Sequence, residues 1–309
     1  MKLKIEELFE TPIDQLEEFF IKARMESWKI FGKKIKVYYP TSSFPSISIT
    51  GENCSQNCLY CDKHYLKNML ALTTPEKLRS FAFNHAIKGG VGMLISGGYS
   101  DQAQLPFESF VEVLMEIKAK TDLILNLHPG LVTKSQAQIL AEIGIDAISY
   151  DLVVDDQVIS EVIKNGFTGK DYKNSFKYLL NAGLKVIPHI CLGLYFGEKK
   201  GNLEAIEFAL QQKTDLLVFL GLIPTKNTPM EKANIVNPEF LAKILLYTRL
   251  IQPNIEQSLG CMRERKGEYE INALKAGINR IAIPKKHTLE YAKKELQLEI
   301  EENNFCCSI

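Results

Sequence analysis

The feature that most constrains this chain is Cys54-Ser55-Gln56-Asn57-Cys58-Leu59-Tyr60-Cys61, which follows the short β-like run Ser46-Ile47-Ser48-Ile49-Thr50. Three thiols within eight residues, separated by three positions and then two, lie on a polar loop where all the sulfurs can turn toward one point. A metal site is the natural reading. Structural zinc takes four closed ligands, and no second Cys-x-x-Cys or His pair lies near to complete them. His64, three residues past Cys61, is a fourth zinc donor on one reading and a solvated loop residue on another. A [4Fe-4S] cluster normally takes four thiolates, so one held by only three keeps an iron open for something else.

Cys-x-x-x-Cys-x-aromatic-Cys after a first strand, with Tyr60 in the aromatic place, resembles the signature of the radical S-adenosylmethionine (radical SAM) superfamily. The resemblance implies that Cys54, Cys58 and Cys61 hold a [4Fe-4S] cluster whose open iron chelates the amine and carboxylate of S-adenosylmethionine.

The chain has 309 residues, 46% hydrophobic and 24% charged, enough for a large core in one or two domains. Basic and acidic side chains balance at 37 each, so charge makes no case for nucleic acid. The first residues lack an apolar signal core and no apolar run is long enough to span a bilayer, so the expectation is a cytoplasmic protein without a membrane partner. Seven cysteines, an odd number without an export signal, argue for reduced thiols and metal binding over disulfides.

Residues 1–45 read as helix, helix and a short extended piece, with Ile5, Leu8 and Phe9, then Leu16, Phe19, Phe20 and Ala23, at helical spacing. From residue 46 onward apolar runs alternate with amphipathic stretches of helix length. The runs at 47–49, 91–95, 123–127, 147–150, 186–192, 216–220, 255–259 and 281–283 make eight strand candidates. Such alternation implies βαβ units and a parallel sheet. The expected fold is α/β: a radical SAM (β/α) barrel, complete or nearly complete, over 46–295, with an N-terminal helical extension over 1–45 and a C-terminal tail over 296–309.

In a barrel of this kind the chemistry lies at the C-terminal ends of the strands. Those ends carry Cys54 to Cys61, Ser96-Gly97-Gly98, Asn126 to His128, Tyr150-Asp151, His189 to Cys191, Pro224 to Thr228, Cys261 to Arg263 and Pro284. Gly97-Gly98 resembles the family's glycine pair, where the missing Cβ lets backbone meet the methionine amine. Tyr99 stands where the family often has Glu. Asp151 reads either as an acceptor for a ribose or substrate hydroxyl or as the cap of the next helix, a task open equally to Asp155 or Asp156. Ile281-Ala282-Ile283 resembles the apolar segment that backs the adenine, with Ile283 as the contact, and would otherwise be core.

The other four cysteines form a second set. Cys191 ends the 186–192 run, Cys261 follows the 255–259 run, and Cys306-Cys307 stand in the tail. Paired cysteines near a chain terminus are poorly explained as core, because such segments fray unless tied down. A second, auxiliary iron-sulfur cluster on Cys261, Cys306 and Cys307, with Cys191 or His189 as a further ligand, would tie them. Cys191 alternatively reads as a small buried hydrophobe.

From 46 to 284 the chain resembles biotin synthase and its sulfur-inserting relatives. The ordered points are Gly183-Leu184-Lys185-Val186, Phe196-Gly197-Glu198, Ile223 to Pro229, Ser258-Leu259-Gly260 and Ala276-Gly277-Ile278-Asn279. In that enzyme three cysteines and an arginine hold a [2Fe-2S] cluster. Here His189 stands at one of those cysteine places, Asn126 near another and Cys261 close to the arginine. Thr50-Gly51, Pro188-His189-Ile190, Gly260-Cys261-Met262-Arg263 and Cys306-Cys307 look most like a subunit of the archaeal-type two-component lipoyl synthase. That resemblance implies a 5′-deoxyadenosyl radical that removes hydrogen from a protein-bound octanoyl chain, and a sacrificial auxiliary cluster that supplies sulfur. It implies as partners an octanoylated lipoyl carrier protein, the second synthase subunit and an electron donor such as ferredoxin. His189, Thr228 and Arg263 are the candidates for substrate contacts. Another radical SAM chemistry, whether biotin synthase-like, methyl transfer or carbon-skeleton, and iron-sulfur electron carriage are the competing readings.

Overall fold

A computed structural model of the chain describes residues 5–40, 42–212, 214–265 and 268–309. Residues 1–4, where the expected extension begins, and the side chain of Ile5 lie outside the described residues. Helices Ile5–Glu10 and Glu17–Phe31 precede a strand, and the second helix buries Phe20, Ala23 and Ser27 on one side.

Among the described residues eleven strands follow in chain order. They are β1 (Lys34–Tyr38), β2 (Ser46–Ser48), β3 (Leu70–Ala71), β4 (Gly92–Ser96), β5 (Ile124–Leu127) and β6 (Ala147–Asp151), then β7 (Val186–Leu192), β8 (Leu216–Gly221), β9 (Glu256–Leu259), β10 (Arg280–Ala282) and β11 (Glu299–Asn303). All eight expected strands are present, within a residue or so of the expected bounds. Their near-continuous apolar runs follow from burial on both faces, as parallel strands flanked by helices require; in β6 the four residues Ala147, Ile148, Ser149 and Tyr150 are all buried.

The chain forms two compact units. One holds residues 40–189, 224–232 and 304–309, with strand order β3-β2-β4-β5-β6-β7 and every register parallel. Its loops are fixed by local caps. Thr133 and Gln136 close a capping box on helix Lys134–Ile143, and Thr168 and Asp171 close another on helix Gly169–Asn181. The other unit holds residues up to 39, 190–223 and 233–303, with strand order β11-β1-β10-β9-β8, again parallel.

The stretch read as a tail contains a strand, β11. Glu299-Ile300-Glu301-Glu302-Asn303 carries neither alternation nor an apolar run, so nothing in its pattern announces a strand. It pairs with β1 along all five residues, and Lys34 Nζ meets Glu301 Oε2 at 2.8 Å. The complementary charge lies on the neighbouring strand, some 260 residues earlier, where local reading cannot see it.

In this second unit a buried cation ties the helix Pro238–Ile251 to the sheet. Arg249 is 1% exposed and donates to Pro253 O at 2.6 Å, Ile255 O at 2.7 Å and Asn279 Oδ1 at 2.6 Å. Burial brings its guanidinium down to about 10, still protonated at neutral pH. Removing one side of such an arrangement leaves buried acceptors unsatisfied. Arg249→Ala should therefore lower unfolding free energy by roughly 3 kcal/mol or more, read as a shift of the urea midpoint, whereas Arg24→Ala, at a half-buried site with one carbonyl partner, should cost less.

Candidate metal and cofactor site

The cysteine loop leaves β2 and is folded back onto the end of β4. Ser48 donates to Gly51 O at 2.6 Å, and the Thr50 hydroxyl accepts from Gly98 N at 2.7 Å. Gly98 is what permits the approach: a Cβ there would stand 2.0 Å from Asn53 O and 2.5 Å from the Cys54 Cβ. At Gly97 a Cβ would stand 2.7 Å from the Thr50 hydroxyl. Both glycines are thus required for close packing of backbone on backbone.

Two backbone amides point at the Cys54 sulfur, from Tyr99 at 3.3 Å and Gln56 at 3.4 Å. Tyr99 therefore serves the loop through its main chain: its carbonyl accepts from Ser55 N at 2.8 Å, while its ring packs on Gly130. The Gln56 side chain donates to Ser100 O and locks the same corner. Further along, Leu59 N donates at 2.9 Å to Val162 O in the π-helical turn Ile159–Ile163, and Cys61 N and Asp62 N return to Cys58 O. Tyr60 is half-buried in this turn and His64 is exposed, its ring edge-on to Tyr65.

The electrostatics of the three thiols suit a cation. Burial pushes Cys58 up to about 12, and the neighbouring Cys61 and Cys54 sulfurs push the same way. Burial also raises Cys61. Three thiolates could not coexist here without positive charge among them, whereas a metal cluster deprotonates its ligands and backbone amides then stabilise the sulfurs. The donor set fits an iron-sulfur cluster. Among the described residues no three His, Cys, Asp or Glu side chains stand in ligating geometry. The assignment of ligands therefore rests on donor chemistry and on this loop's contacts.

Beside the loop's unit-mates, the strand ends of β5, β6 and β7 bring three titratable groups together. Asp151 ends β6 opposite His189 in the β7 register, and His128 follows β5. His128 Nε2 lies 3.3 Å from Asp151 Oδ2, a charge contact whose direction misses hydrogen-bond geometry, so this buried nitrogen has no hydrogen-bond partner among the described residues. The two imidazoles stand 6.0 Å apart. Burial opposes ionisation of Asp151, but attraction to His128 and then His189 outweighs it and holds the carboxyl below its ordinary value. Burial opposes charge on His128 too, and Asp151 more than offsets it, raising that imidazole. His189 has the opposite fate: burial, then repulsion from His128, brings it down to about 4. The capping alternative for Asp151 falls away, because Asp155 accepts from Val158 N at 2.9 Å and caps the next helix.

The second cysteine set is divided. Cys306 and Cys307 belong to the unit that holds the cysteine loop, Cys191 and Cys261 to the other. The Cys306 and Cys307 segment is packed in: Cys307 is 4% exposed and Ser308 fully buried. Hydrogen bonds from Cys307 outweigh burial and, with those from Ser308 and Asn126, bring Cys306 down to about 6. Cys191 is half-buried, its carbonyl accepting from Asn202 Nδ2 at 3.1 Å, and Cys261 is exposed. Arg263 is not a surface residue: it forms a buried pair with Glu270 at 2.5 Å and lines a small apolar cavity with Leu192, Leu220 and Tyr269. The Thr228 hydroxyl is engaged in its own turn, donating to Thr225 O at 2.7 Å. Ile283 lies just past β10 with φ of 47°, a backbone region disfavoured for a β-branched side chain, and its amide donates to Tyr38 O at 2.8 Å.

The model of the radical SAM superfamily matches residues 48–210, more than half of the chain. The chain belongs to the radical SAM superfamily. Membership implies a [4Fe-4S] cluster and S-adenosylmethionine. Relatives by sequence include the biotin synthases of Halorhodospira halophila (strain DSM 244 / SL1), 25% identical over 75% of this chain and 73% of that one, and Cyanothece sp. (strain PCC 7425 / ATCC 29141), 27% identical over 77% and 66%. Solved structures of similar fold include methylornithine synthase, with a TM-score of 0.67 at 18% identity over 91% of this chain and 82% of that one. The FeFe-hydrogenase maturase HydG from Carboxydothermus hydrogenoformans gives 0.69 at 18% over 91% and 67%. These likenesses establish the α/β radical SAM barrel class expected for this chain.

Thr50, Gln56 and Ser308 carry contacts that sequence reading assigned to no residue, and His128 appeared there only as a polar strand end. No local pattern marks Ser308; Thr50 is signalled only by its place before Gly51.

Two outcomes follow for this radical SAM site. Gly98→Ala should force the loop outward, at roughly 1–3 kcal/mol of overpacking, and iron bound per chain after anaerobic reconstitution should fall. Because His189 is near 4 when folded against an ordinary 6.5, the unfolded chain binds the extra proton between those values, so its contribution is intact above 6.5 and is lost as pH falls toward 4. Urea titrations across that window should show a shallower acid loss in His189→Gln than in the wild type.

Proposed function

We propose that this radical SAM enzyme inserts sulfur into a protein-bound octanoyl chain, as one subunit of a two-component lipoyl synthase. The observation that carries the reading is that Cys306 and Cys307 join the compact unit that holds Cys54, Cys58 and Cys61. A sulfur-donating cluster would account for this second thiol pair, of which Cys307 is buried and Cys306 half-buried. The biotin synthase relatives support sulfur insertion as the branch.

When bound, the [4Fe-4S] cluster and S-adenosylmethionine supply a 5′-deoxyadenosyl radical after one-electron reduction. The protein's part is to hold and to exclude water. Cys54, Cys58 and Cys61 provide the first cluster's thiolates, and the amides of Gln56 and Tyr99 steady Cys54. Gly97, half-buried, is the glycine assigned to the methionine end, because Gly98 is buried with its amide on the Thr50 hydroxyl; the half-buried ring of Tyr60 is an apolar contact in the same unit, and Ile283 is the adenine contact that the family resemblance implies. Asp151, kept ionised by His128, accepts from a ribose hydroxyl. The auxiliary iron-sulfur cluster of this reading would draw on the second cysteine set, with Cys306 and Cys307 as its ligands within the unit that holds the first three thiols. His189, neutral above its lowered value, contacts substrate as a neutral hydrogen-bonding group. Arg263, committed to Glu270, acts in this reading by shaping the cavity it lines, and Thr228 by holding its turn.

The partners proposed are an octanoylated lipoyl carrier protein, the second synthase subunit and an electron donor such as ferredoxin. A cytoplasmic setting is part of the same proposal; among the described residues no helix is long and apolar enough to cross a membrane.

The test is anaerobic reconstitution with reductant, S-adenosylmethionine and an octanoyl-lysine peptide, with and without the candidate second subunit. Sulfur added to the peptide together with 5′-deoxyadenosine is the expected result, with about eight irons per chain for two [4Fe-4S] clusters. Release of 5′-deoxyadenosine with no sulfur in the peptide, and about four irons, would overturn the assignment while leaving the radical chemistry in place. The biotin synthase relatives favour a second reading, insertion into a small biotin precursor, which the same assay separates by exchanging the substrate.

A further inference from the structure

One face of β5 and β6 carries two polar tiers. Side chains two apart along a strand share a face, so His128 stands above Asn126 and Asp151 above Ser149. The upper tier is the His128, Asp151 and His189 group. In the lower one, Asn126 is fully buried and Ser149 is 3% exposed. A buried carboxamide on an inner strand needs partners on both its oxygen and its nitrogen. Asn126 finds one within the sheet, where its Oδ1 accepts from Ser149 Oγ at 3.0 Å. The other comes from the far end of the sequence: Asn126 Nδ2 donates to Ser308 Oγ at 3.0 Å, and Ser149 Oγ lies 3.4 Å from that hydroxyl.

Ser308 is completely buried, and its Oγ is also 3.0 Å from the Cys306 sulfur. A turn closed by Ile309 N on Cys306 O at 3.1 Å brings serine and thiol to the same side. Ser149, Asn126, Ser308 and Cys306 thus form one continuous polar chain. It runs from the inner strands to a sulfur near enough to His128 to act on that imidazole electrostatically. Apolar side chains would fill the same volume more simply, and the hydrogen bonds are specific in direction.

We propose that Asn126, Ser149 and Ser308 are positioning residues that seat the 304–309 segment on β5 and β6 and hold the Cys306 sulfur at the strand ends. The assignment deepens the sulfur-insertion reading and rests on it for the purpose of that sulfur, as a ligand delivered to the auxiliary cluster.

The test compares Ser308→Ala, Ser308→Thr and Asn126→Ser with the wild type in the full-length protein. In metal-free, reduced protein, iodoacetamide labelling of Cys306 at about pH 10, where even an ordinary thiol is largely ionised and the rate reads access to the sulfur, is followed by peptide mass spectrometry, with the Cys261 peptide as internal reference. Ser308→Ala should label Cys306 about five- to tenfold faster, the size expected for loss of one buried hydrogen bond, and Asn126→Ser should do likewise. Ser308→Thr, which keeps the hydroxyl, should restore the wild-type rate. After reconstitution, Ser308→Ala should lose the electron paramagnetic resonance signal of the second cluster and about half its iron. Unchanged labelling in both Ser308→Ala and Asn126→Ser would overturn the anchor. Faster labelling in a protein whose wild type holds only one cluster would uphold the anchor and overturn the sulfur-donor reading instead.

Discussion

The site depends on a close approach of two backbones. The loop that carries Cys54 must lie against the end of β4 at a distance that excludes even one methyl group at Gly98. From that contact follow the Thr50 hydrogen bond to the Gly98 amide and the two amides directed at the Cys54 sulfur. Short, regular elements around the loop keep the approach in register. β2 and β4 pair in parallel from Ser46 to Ser48, and the loop leaves immediately afterwards, so its starting point is set by sheet geometry rather than by its own flexible backbone. The second half of the loop is pinned on a different element, the π-helical turn at Val162. Wide helical turns of this type recur at functional sites because they offer a carbonyl that a regular helix would keep for itself.

The charged groups at the strand ends show how burial sorts like residues into unlike roles. His128 and His189 occupy neighbouring strand ends and differ by which of them meets the carboxylate of Asp151. His128 gains the attraction and is raised, while His189 is left with burial and the repulsion of its neighbour and falls to about 4. The carboxylate is held ionised by the same pair despite its surroundings. One imidazole thus serves the carboxylate, and the other stays a neutral donor or acceptor at any pH where the protein works. Its Nδ1 is already directed to Ile187 O at 3.0 Å, which leaves Nε2 as the nitrogen that faces outward from its own strand.

Much of this was legible from sequence because it is local. The eight strands announced themselves as apolar runs, and the three thiols and the glycine pair are short patterns whose geometry is set within a few residues. What escaped reading is long-range. β11 is acidic and became a strand only through β1, whose Lys34 answers Glu301. Arg263 reads as polar at an exposed strand end and is instead closed against Glu270, seven residues on, where helix Tyr269–Lys275 returns a carboxylate to it. Ile283 fits an apolar wall by type, yet its left-handed backbone is visible only in three dimensions. Asp151 was open to two readings by position alone, and the neighbouring Asp155 removes one of them by taking the cap.

The 304–309 segment is the clearest case of non-local dependence. Terminal residues stay in place only if something compensates their conformational entropy. A metal is one such agent, and the adjacent cysteines suggest it. Burial of Cys307 and the hydrogen bond from Asn126 to Ser308 are another. A segment seated in this way presents its thiols in a defined place, so a cluster assembled there would meet ligands already ordered and would not have to offset their entropy at the moment of binding. The same ordering separates the two thiol groups chemically. Cys58 is held protonated by burial among like charges, whereas Cys306 is drawn toward the thiolate by its hydrogen-bond donors. These two sulfurs in one compact unit thereby differ in how readily they give up a proton.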